Sequence, residues 1–302
     1  MEHESVGLQH SMTPSLPCKF SMQIVESISA MRRWSESERR ENRRIVLVPT
    51  MGFLHAGHLA LVRAAGERGD SVAVSIFVNP TQFSPSEDFA AYPRDLERDR
   101  RLLEIEGIDA LFIPSAEEMY LAGAQTHVEV ERLSVPLCGS LRPGHFRGVA
   151  TVVAKLFNIV RPQVAIFGEK DYQQLQVIRR MVRDLSFDVE IVGHPIVREP
   201  DGLAMSSRNA YLTPEERRAA LALPRSLCKA ERLFQRGEAS ASALVGLVHA
   251  ELAREPRAQV EYVKLCDPES LEDVERVEDA ALLALAARFG KARLIDNRVL
   301  GR

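Results

Sequence analysis

Residues 45–80 read IVLVPTMGFLHAGHLALVRAAGERGDSVAVSIFVNP. Ile45–Val48 is a short apolar run with charge before it and Pro49-Thr50 after it. That is how a buried strand ending in a loop reads. Gly57 to about Arg68 follows as a helix, with Leu59, Val62 and Ala65 on one face. Val72–Val78 is a second apolar run, stopped by Asn79-Pro80. Strand, helix and strand in this order favour a parallel sheet covered on both faces.

The same alternation continues outward. A charged helix is expected over Arg94–Glu106, then a strand at Ala110–Ile113. Thr126–Glu131 alternates apolar and polar and reads as another strand. In the helix predicted over Phe146–Val160, Phe146, Val149, Val153, Leu156 and Val160 recur at steps of three and four, and Arg161-Pro162 stops it. Val164–Phe167 is a buried strand and Gly168 opens the next loop. Tyr172–Leu185 is again helical and Val189–Val192 is a strand. The pattern changes near Val197. Two helical stretches, about Glu215–Arg236 and Ser240–Glu255, precede strand-like pieces at Val260–Leu265, Ala281–Ala287 and Ala292–Ile295. The last two flank Phe289-Gly290-Lys291, a hairpin turn. The expected class is therefore α/β. A parallel-sheet domain over 22–197 leads through the Arg198–Leu203 loop into a smaller α+β domain over 198–302. Residues 1–21, rich in Ser, Pro, His and Gln, read as a loose tail.

Composition narrows the function classes. The 302 residues are 45% hydrophobic and 27% charged, ordinary for a soluble globular protein. The net charge of −3, from 39 basic and 42 acidic residues, speaks against a nucleic-acid binder or a membrane-surface protein. No apolar run reaches membrane-spanning length, and residues 1–20 lack the apolar stretch of a signal peptide. Cys18, Cys138, Cys228 and Cys266 are far apart and form no C-x-x-C pair. A structural zinc site or disulfide framework is not expected, and a reducing, cytoplasmic setting is.

Four stretches carry residue types suited to chemistry. Pro49–His58 lies where a strand ends and a helix begins, the edge at which parallel sheets bind ligands. A helix start offers free N–H groups and partial positive charge to phosphate. His55 and His58 can face the same side of the first turn. They would stabilise phosphate charge, cap the helix, sit on the surface, or ligate a metal whose third ligand the sequence does not reveal. Gly168-Glu169-Lys170-Asp171 is a second strand-to-helix junction, with Lys170 suited to phosphate oxygens and Asp171 read first as a helix cap. Met205-Ser206-Ser207-Arg208-Asn209 places two hydroxyls and a guanidinium in the connecting loop, suited to a triphosphate or simply a linker. Phe77–Phe83 brings Gln82 to the same sheet edge, where an amide can hold a hydroxy acid, although Asn79-Pro80 by itself is a turn. Gln174 points either into the crevice or to the helix surface.

Together these segments resemble the pantothenate synthetase family. The shared order is P-T-M-G-x-L-H-x-G-H (49–58), F-V-N-P-x-Q-F (77–83), R-P-G-H-F-R-G-V (142–149), F-G-E-K-D-Y-Q-Q (167–174) and M-S-S-R-N (205–209). Arg293-Leu294-Ile295-Asp296-Asn297 is familial as well, and the resemblance runs from about Met22 onward. A lone H-x-G-H marks a wider superfamily of nucleotidyltransferases and class I aminoacyl-tRNA synthetases; the five segments jointly are specific.

The resemblance implies a Rossmann-like first domain and an ATP site built from Met51, Gly52, Phe53, Leu54, His55, Ala56, Gly57 and His58. Gly168, Glu169, Lys170 and Asp171 complete it, with Met205, Ser206, Ser207 and Arg208. Val197 touches the adenine region, and His58 is the residue usually assigned as proton donor. Gln82 contacts pantoate and β-alanine, and Gln174 contacts pantoate. Phe53 and Ala56 stand at variable positions of the pattern. The implied reaction is ATP-dependent condensation of pantoate with β-alanine through an acyl-adenylate, with His55, His58, Lys170 and Arg208 as the catalytic set. Magnesium is expected with ATP, although no protein ligand for it is legible, and the family implies a homodimer. The nearest alternative is another H-x-G-H nucleotidyltransferase that needs no amine for turnover.

Overall fold

A computed structural model describes residues 22–84 and 89–301, so the tail expected at 1–21 lies outside the described residues. The chain opens with β1 (Gln23–Val25) and α1 (Ile28–Arg40), then β2 (Ile45–Thr50), α2 (Ala56–Gly66) and β3 (Ser71–Ile76). Next come α3 (Leu96–Glu106), β4 (Ala110–Phe112), and the single turns α4 (Ala116–Met119) and α5 (Cys138–Leu141). The long α6 (His145–Val160), β5 (Val164–Gly168), α7 (Tyr172–Asp184) and β6 (Glu190–His194) complete the first half. Their strands form one sheet in the order β1-β4-β3-β2-β5-β6, with every pairing parallel.

Period-two alternation divides the sheet's side chains between two cores. Val46, Val48, Val74, Leu111 and Ile166 face α2 and α3, meeting Leu61, Val62, Ala65 and Leu103. Ile45, Leu47, Ala73, Phe112 and Ala165 face α1, α6 and α7, meeting Trp34, Val149, Val153 and Ile178. Both faces are covered, which is why these strands read as unbroken apolar runs. The chain winds outward from β2 through β3 to β4 on one side, and from β5 to β6 on the other. The reversal between β2 and β5 is the crevice where open α/β sheets bind ligands. The two strand-to-helix motifs leave from those two strands.

One expected strand is absent here, and one strand that was not expected is present. Residues 126–131 form no strand: Val128 and Val130 pack against the core, but the N–H of Val128 goes to Thr151 Oγ1 (3.0 Å) rather than to a neighbouring strand. Alternation reported a half-buried surface and not a ladder. The sheet's remaining edge strand is β1, three residues that carry no periodic signal.

The second half holds α8 (Pro214–Ala220), α9 (Ala222–Gln235), α10 (Ala241–Leu252), β7 (Gln259–Cys266), β8 (Ala281–Phe289) and β9 (Ala292–Leu300). The single helix expected over 215–236 is two. Pro224, third in α9, has no N–H to donate back to Ala220, so the helix is broken at Leu221. The hairpin turn at Gly290-Lys291 is present, with Phe289 paired to Ala292 and Gly290 at φ +55. β7-β8-β9 is antiparallel. β8 is buried on both faces: Ala281, Leu283, Leu285 and Ala287 pack against α8–α10, while Leu282 and Ala284 join the α6–α7 core. Among the described residues no helix is long and apolar enough to cross a membrane.

Candidate active site

The loop after β2 is shaped by two consecutive left-handed residues, Gly52 (φ +80) and Phe53 (φ +51). A Cβ on Gly52 would stand 3.0 Å from Ile76 Cγ2 and 3.2 Å from Asp99 Oδ2, so both backbone sign and space require glycine. The buried carboxylate of Asp99 accepts from the N–H of Phe53 (2.6 Å) and of Leu54 (2.7 Å). Arg98, next to it on α3, donates to Leu54 O (2.9 Å). In the sequence α3 reads as a plain charged helix. The available signal was an aspartate four residues before the buried Leu103, on the helix's apolar stripe.

His55 caps α2. Its Nδ1 accepts from the N–H of Gly57 (3.2 Å), and His58 Nδ1 accepts in turn from the N–H of His55 (3.4 Å). The two rings stack with centroids 4.0 Å apart. Burial, followed by the positive charge of Lys170, lowers the pKa of His55 to about 4. Burial, then His55 and Lys170, lowers that of His58 to about 3. Both imidazoles are neutral near pH 7. With Nδ1 accepting on each, the proton resides on Nε2, so both offer N–H donors rather than charge. The cap and phosphate readings of the pair are thus compatible. A Cβ on Gly57 would lie 2.9 Å from the His55 ring, which ties that glycine to the stacking.

After β5, Lys170 and Asp171 form a short turn, with Nζ and Oδ2 3.5 Å apart. The expected cap is absent: Asp171 precedes α7 but its carboxylate makes no cap hydrogen bond. Desolvation pushes that carboxyl's pKa up, but the charge of Lys170, then that of Arg208, outweighs it and holds the group below the usual range. The segment joining the two halves is a tight hairpin. Met205 N–H donates to Val197 O (3.0 Å), Glu199 N–H to Leu203 O (2.8 Å), and Arg198 pairs with Ala204. It delivers Ser207, whose Oγ donates to Phe53 O (3.2 Å), and Arg208, whose guanidinium lies 5.8 Å over the Tyr92 ring.

These three loops enclose a cavity of ≈ 180 Å³ lined by Met51, His55, Gly57, His58, Gly168, Lys170, Asp171, Gln174, Val197 and Met205 to Arg208, among others. A second cavity of ≈ 260 Å³ shares Lys170, Asp171, Gln174, Ser206 and Arg208 with it and extends past Arg142 and His145 to β8 and β9. Of the other predicted residues, Gly52 and Phe53 line a separate cavity behind the loop. Leu54 is buried and Ala56 exposed. The Glu169 carboxylate lies against Gly193 of β6, 3.0 Å from where a Cβ there would be.

Gln82 is buried and lines neither cavity, although its neighbours Met51 and His145 line one each. Asn79 Nδ2 donates to Gln82 Oε1 (3.1 Å) and to Gly148 O (3.1 Å), while Asn79 Oδ1 accepts from Tyr120 OH (2.9 Å). The amide of Gln82 is thereby turned so that Nε2 faces Met51 Sδ (3.2 Å) at the cavity wall. The main-chain carbonyl of Gln82 faces His145 Nδ1 (2.8 Å), and Arg142 Nη1 meets His145 Nε2 at 3.0 Å. A carbonyl beside Nδ1 and a guanidinium beside Nε2 favour the tautomer with its proton on Nδ1 and Nε2 accepting. Nothing in the sequence alone assigns a role to Asn79, Arg142 or His145. Asn79 read as a turn, and the 142–149 motif was recognised without a function.

Residues 23–299 match the family model described as pantoate-beta-alanine ligase. A pantothenate synthetase from Thermotoga neapolitana is 58% identical over 280 residues, covering 93% of this chain and 100% of that one. The crystal structure of pantothenate synthetase from Thermus thermophilus superposes with a TM-score of 0.87 at 48% identity, covering 92% of this chain and 99% of that one. A pantoate-beta-alanine ligase from Francisella tularensis, complexed with beta-gamma ATP and beta-alanine, gives a TM-score of 0.75 at 33% identity, covering 92% and 97%. The loops at the β2/β5 crevice therefore sit in a chain that belongs to the pantoate-beta-alanine ligase family.

Proposed function

We propose that this chain condenses pantoate with β-alanine at the expense of ATP, in two steps at one site. The observation that carries the reading is the convergence of three loops on one cavity, bringing neutral imidazole donors, one ammonium and one guanidinium together. ATP lies in the smaller cavity, with its adenine toward Val197 and its phosphates against His55, His58, Lys170, Ser206, Ser207 and Arg208. A carboxylate oxygen of pantoate attacks the α-phosphorus, the bond to the β-phosphate oxygen breaks, and pyrophosphate leaves. Charge grows on the phosphoryl and leaving oxygens, where fixed donors contribute most. The amine of β-alanine then attacks the acyl carbon. The bond to the phosphate oxygen breaks, AMP leaves, and the amine's proton passes to solvent.

Gln82 presents an N–H to pantoate and later to β-alanine, and Gln174, which lines both cavities, holds pantoate. The larger cavity is the side from which these two substrates approach. Magnesium enters as the counter-ion of the triphosphate. Among the described residues no group of three His, Cys, Asp or Glu side chains is placed to hold a metal, and Asp171 is the one carboxylate lining the nucleotide cavity. That composition fits an ion that travels with ATP. The chain divides at 197/198 and works as a homodimer. The free thiols Cys138, Cys228 and Cys266 support a reducing, cytoplasmic setting.

AMP release from ATP and pantoate, with and without β-alanine, tests the reading. Sustained AMP and pantothenate formation is expected only with the amine. Pyrophosphate release that turns over freely without it would mean an H-x-G-H nucleotidyltransferase instead.

A further inference from the structure

Asp296 and Asn297 are neighbours near the middle of β9, and successive side chains of a strand point to opposite faces. Both are buried. On one face, Asp296 accepts a two-pronged contact from Arg198, Nη1 to Oδ2 at 2.7 Å and Nη2 to Oδ1 at 2.9 Å. Arg198 Nη1 also donates to Gly202 O (3.1 Å), fixing the hairpin that ends in Met205–Arg208. On the other face, Asn297 Nδ2 donates to Glu169 O and to Lys170 O, each at 3.0 Å. The two residues are themselves joined, Asn297 N–H to Asp296 Oδ1 at 2.8 Å. One strand thus holds the Lys170 turn by its carbonyls and the hairpin leading to Arg208 by Arg198.

We propose that Asp296 and Asn297 are positioning residues that fix the separation between Lys170 and Arg208, so that both charges meet one triphosphate. This rests on the reading that those two cations serve ATP. Both side chains line the larger cavity, and neither lines the one assigned to ATP. Asp296 is neutralised by Arg198, and Asn297 is bound to carbonyls that only a donor can satisfy. An aspartate at 297 would keep the shape and set an acceptor against two acceptors. Arg198→Lys keeps the charge facing Asp296 but loses the planar fork that orients the hairpin. Either change acts on the first chemical step, where the leaving pyrophosphate needs both cations. The second step, aminolysis of the adenylate, begins after that charge has gone.

The test separates the two half-reactions on the purified full chain. Adenylation is read as pyrophosphate release from ATP and pantoate in a single turnover. Aminolysis is read as AMP release from chemically supplied pantoyl adenylate and β-alanine. For Asn297→Asp, adenylation should fall on the order of 10²-fold, as for roughly 1 Å of misplacement, with aminolysis little changed. Asn297→His, which restores one donor, should recover part of the loss. If Asn297→Asp does not fold, Arg198→Lys decides by the same ratio. An equal loss in both half-reactions, or no loss in either, overturns the proposal. A wild-type chain inert in both would sink the reading of the site itself, a distinguishable result.

Discussion

His145 offers a perturbation whose outcome depends on which ring nitrogen matters. Its Nδ1–H donates to Gln82 O at 2.8 Å, and its Nε2 accepts from Arg142 at 3.0 Å. In a side-chain comparison, asparagine places its Nδ2 where the ring carries Nδ1, while glutamine reaches toward the position of Nε2. His145→Asn therefore keeps the bond to Gln82 and gives up the one to Arg142, and His145→Gln does the reverse. A partly buried neutral hydrogen bond is worth about 0.5–1.5 kcal/mol net. That corresponds to roughly 2- to 12-fold in a rate or binding constant. His145→Ala and His145→Gln should lower kcat/KM for pantoate within that range, with KM for ATP nearly unchanged, because Gln82 lies outside the nucleotide cavity. His145→Asn should stay near wild type. The reasoning fails if Asn and Gln are equally impaired, or if the loss falls on ATP rather than on pantoate.

Removing one donor to the developing phosphate charge, as Lys170→Ala or His58→Ala, should cut turnover by about 10²–10³-fold; near-normal turnover of a purified variant would remove that residue from the mechanism. Gly57→Ala drives a methyl to 2.9 Å from the His55 ring, and an imidazole moved off its cap should cost about tenfold or more in kcat/KM for ATP, with unchanged steady-state constants as the contrary result. Asp99→Asn replaces one acceptor of two N–H groups by a donor, so ATP should bind more weakly by calorimetry and the fold should lose about 1–3 kcal/mol in urea titration; a wild-type midpoint would show that the carboxylate is dispensable. His55 and His58 have folded pKa values of about 4 and about 3, below the ordinary imidazole value of about 6.5. The unfolded chain therefore binds more protons, and the stability these groups confer is full above about pH 6.5 and drains as pH falls toward their folded values. Melting temperatures should drop as pH is lowered from about 7 to 5, less so in a His55→Gln/His58→Gln double variant; identical slopes would contradict the assignment.

Much of this was legible in the residues themselves. The 45–80 stretch fixed the parallel class because both faces of β2 and β3 are covered, leaving apolar runs no half-exposed strand would show. The two strand-to-helix motifs were placed correctly because they follow β2 and β5, on either side of the reversal. What failed was local reading that needed a partner to interpret. Residues 126–131 alternate, yet their backbone bonds to a side chain. Asp171 stood at a cap position, but Lys170 lies 3.5 Å away and no backbone donor takes the carboxylate. Asn79, Asp99, His145 and Asn297 escaped for a different reason. Each bonds a main-chain group or side chain supplied by another element, and no spacing along the chain encodes that.

Those same residues decide how the site's electrostatics works. The H-x-G-H pair is the most visible signature in the sequence, yet both imidazoles are neutral near pH 7 and lend hydrogen bonds, not charge. Positive charge in the nucleotide cavity then comes from Lys170 and Arg208. Neither sits on the sheet's rigid core. One is on a short turn after β5, the other beyond a hairpin 197–205. A point charge gains most from a fixed distance in a partly desolvated site, so such loops need an external brace. β9 supplies it through adjacent side chains on opposite faces. The smaller antiparallel sheet therefore does more than cover the crevice. Its last strand sets where the charges stand, which ties the Asp296-Asn297 pair to the site although it is remote from the H-x-G-H motif in the chain.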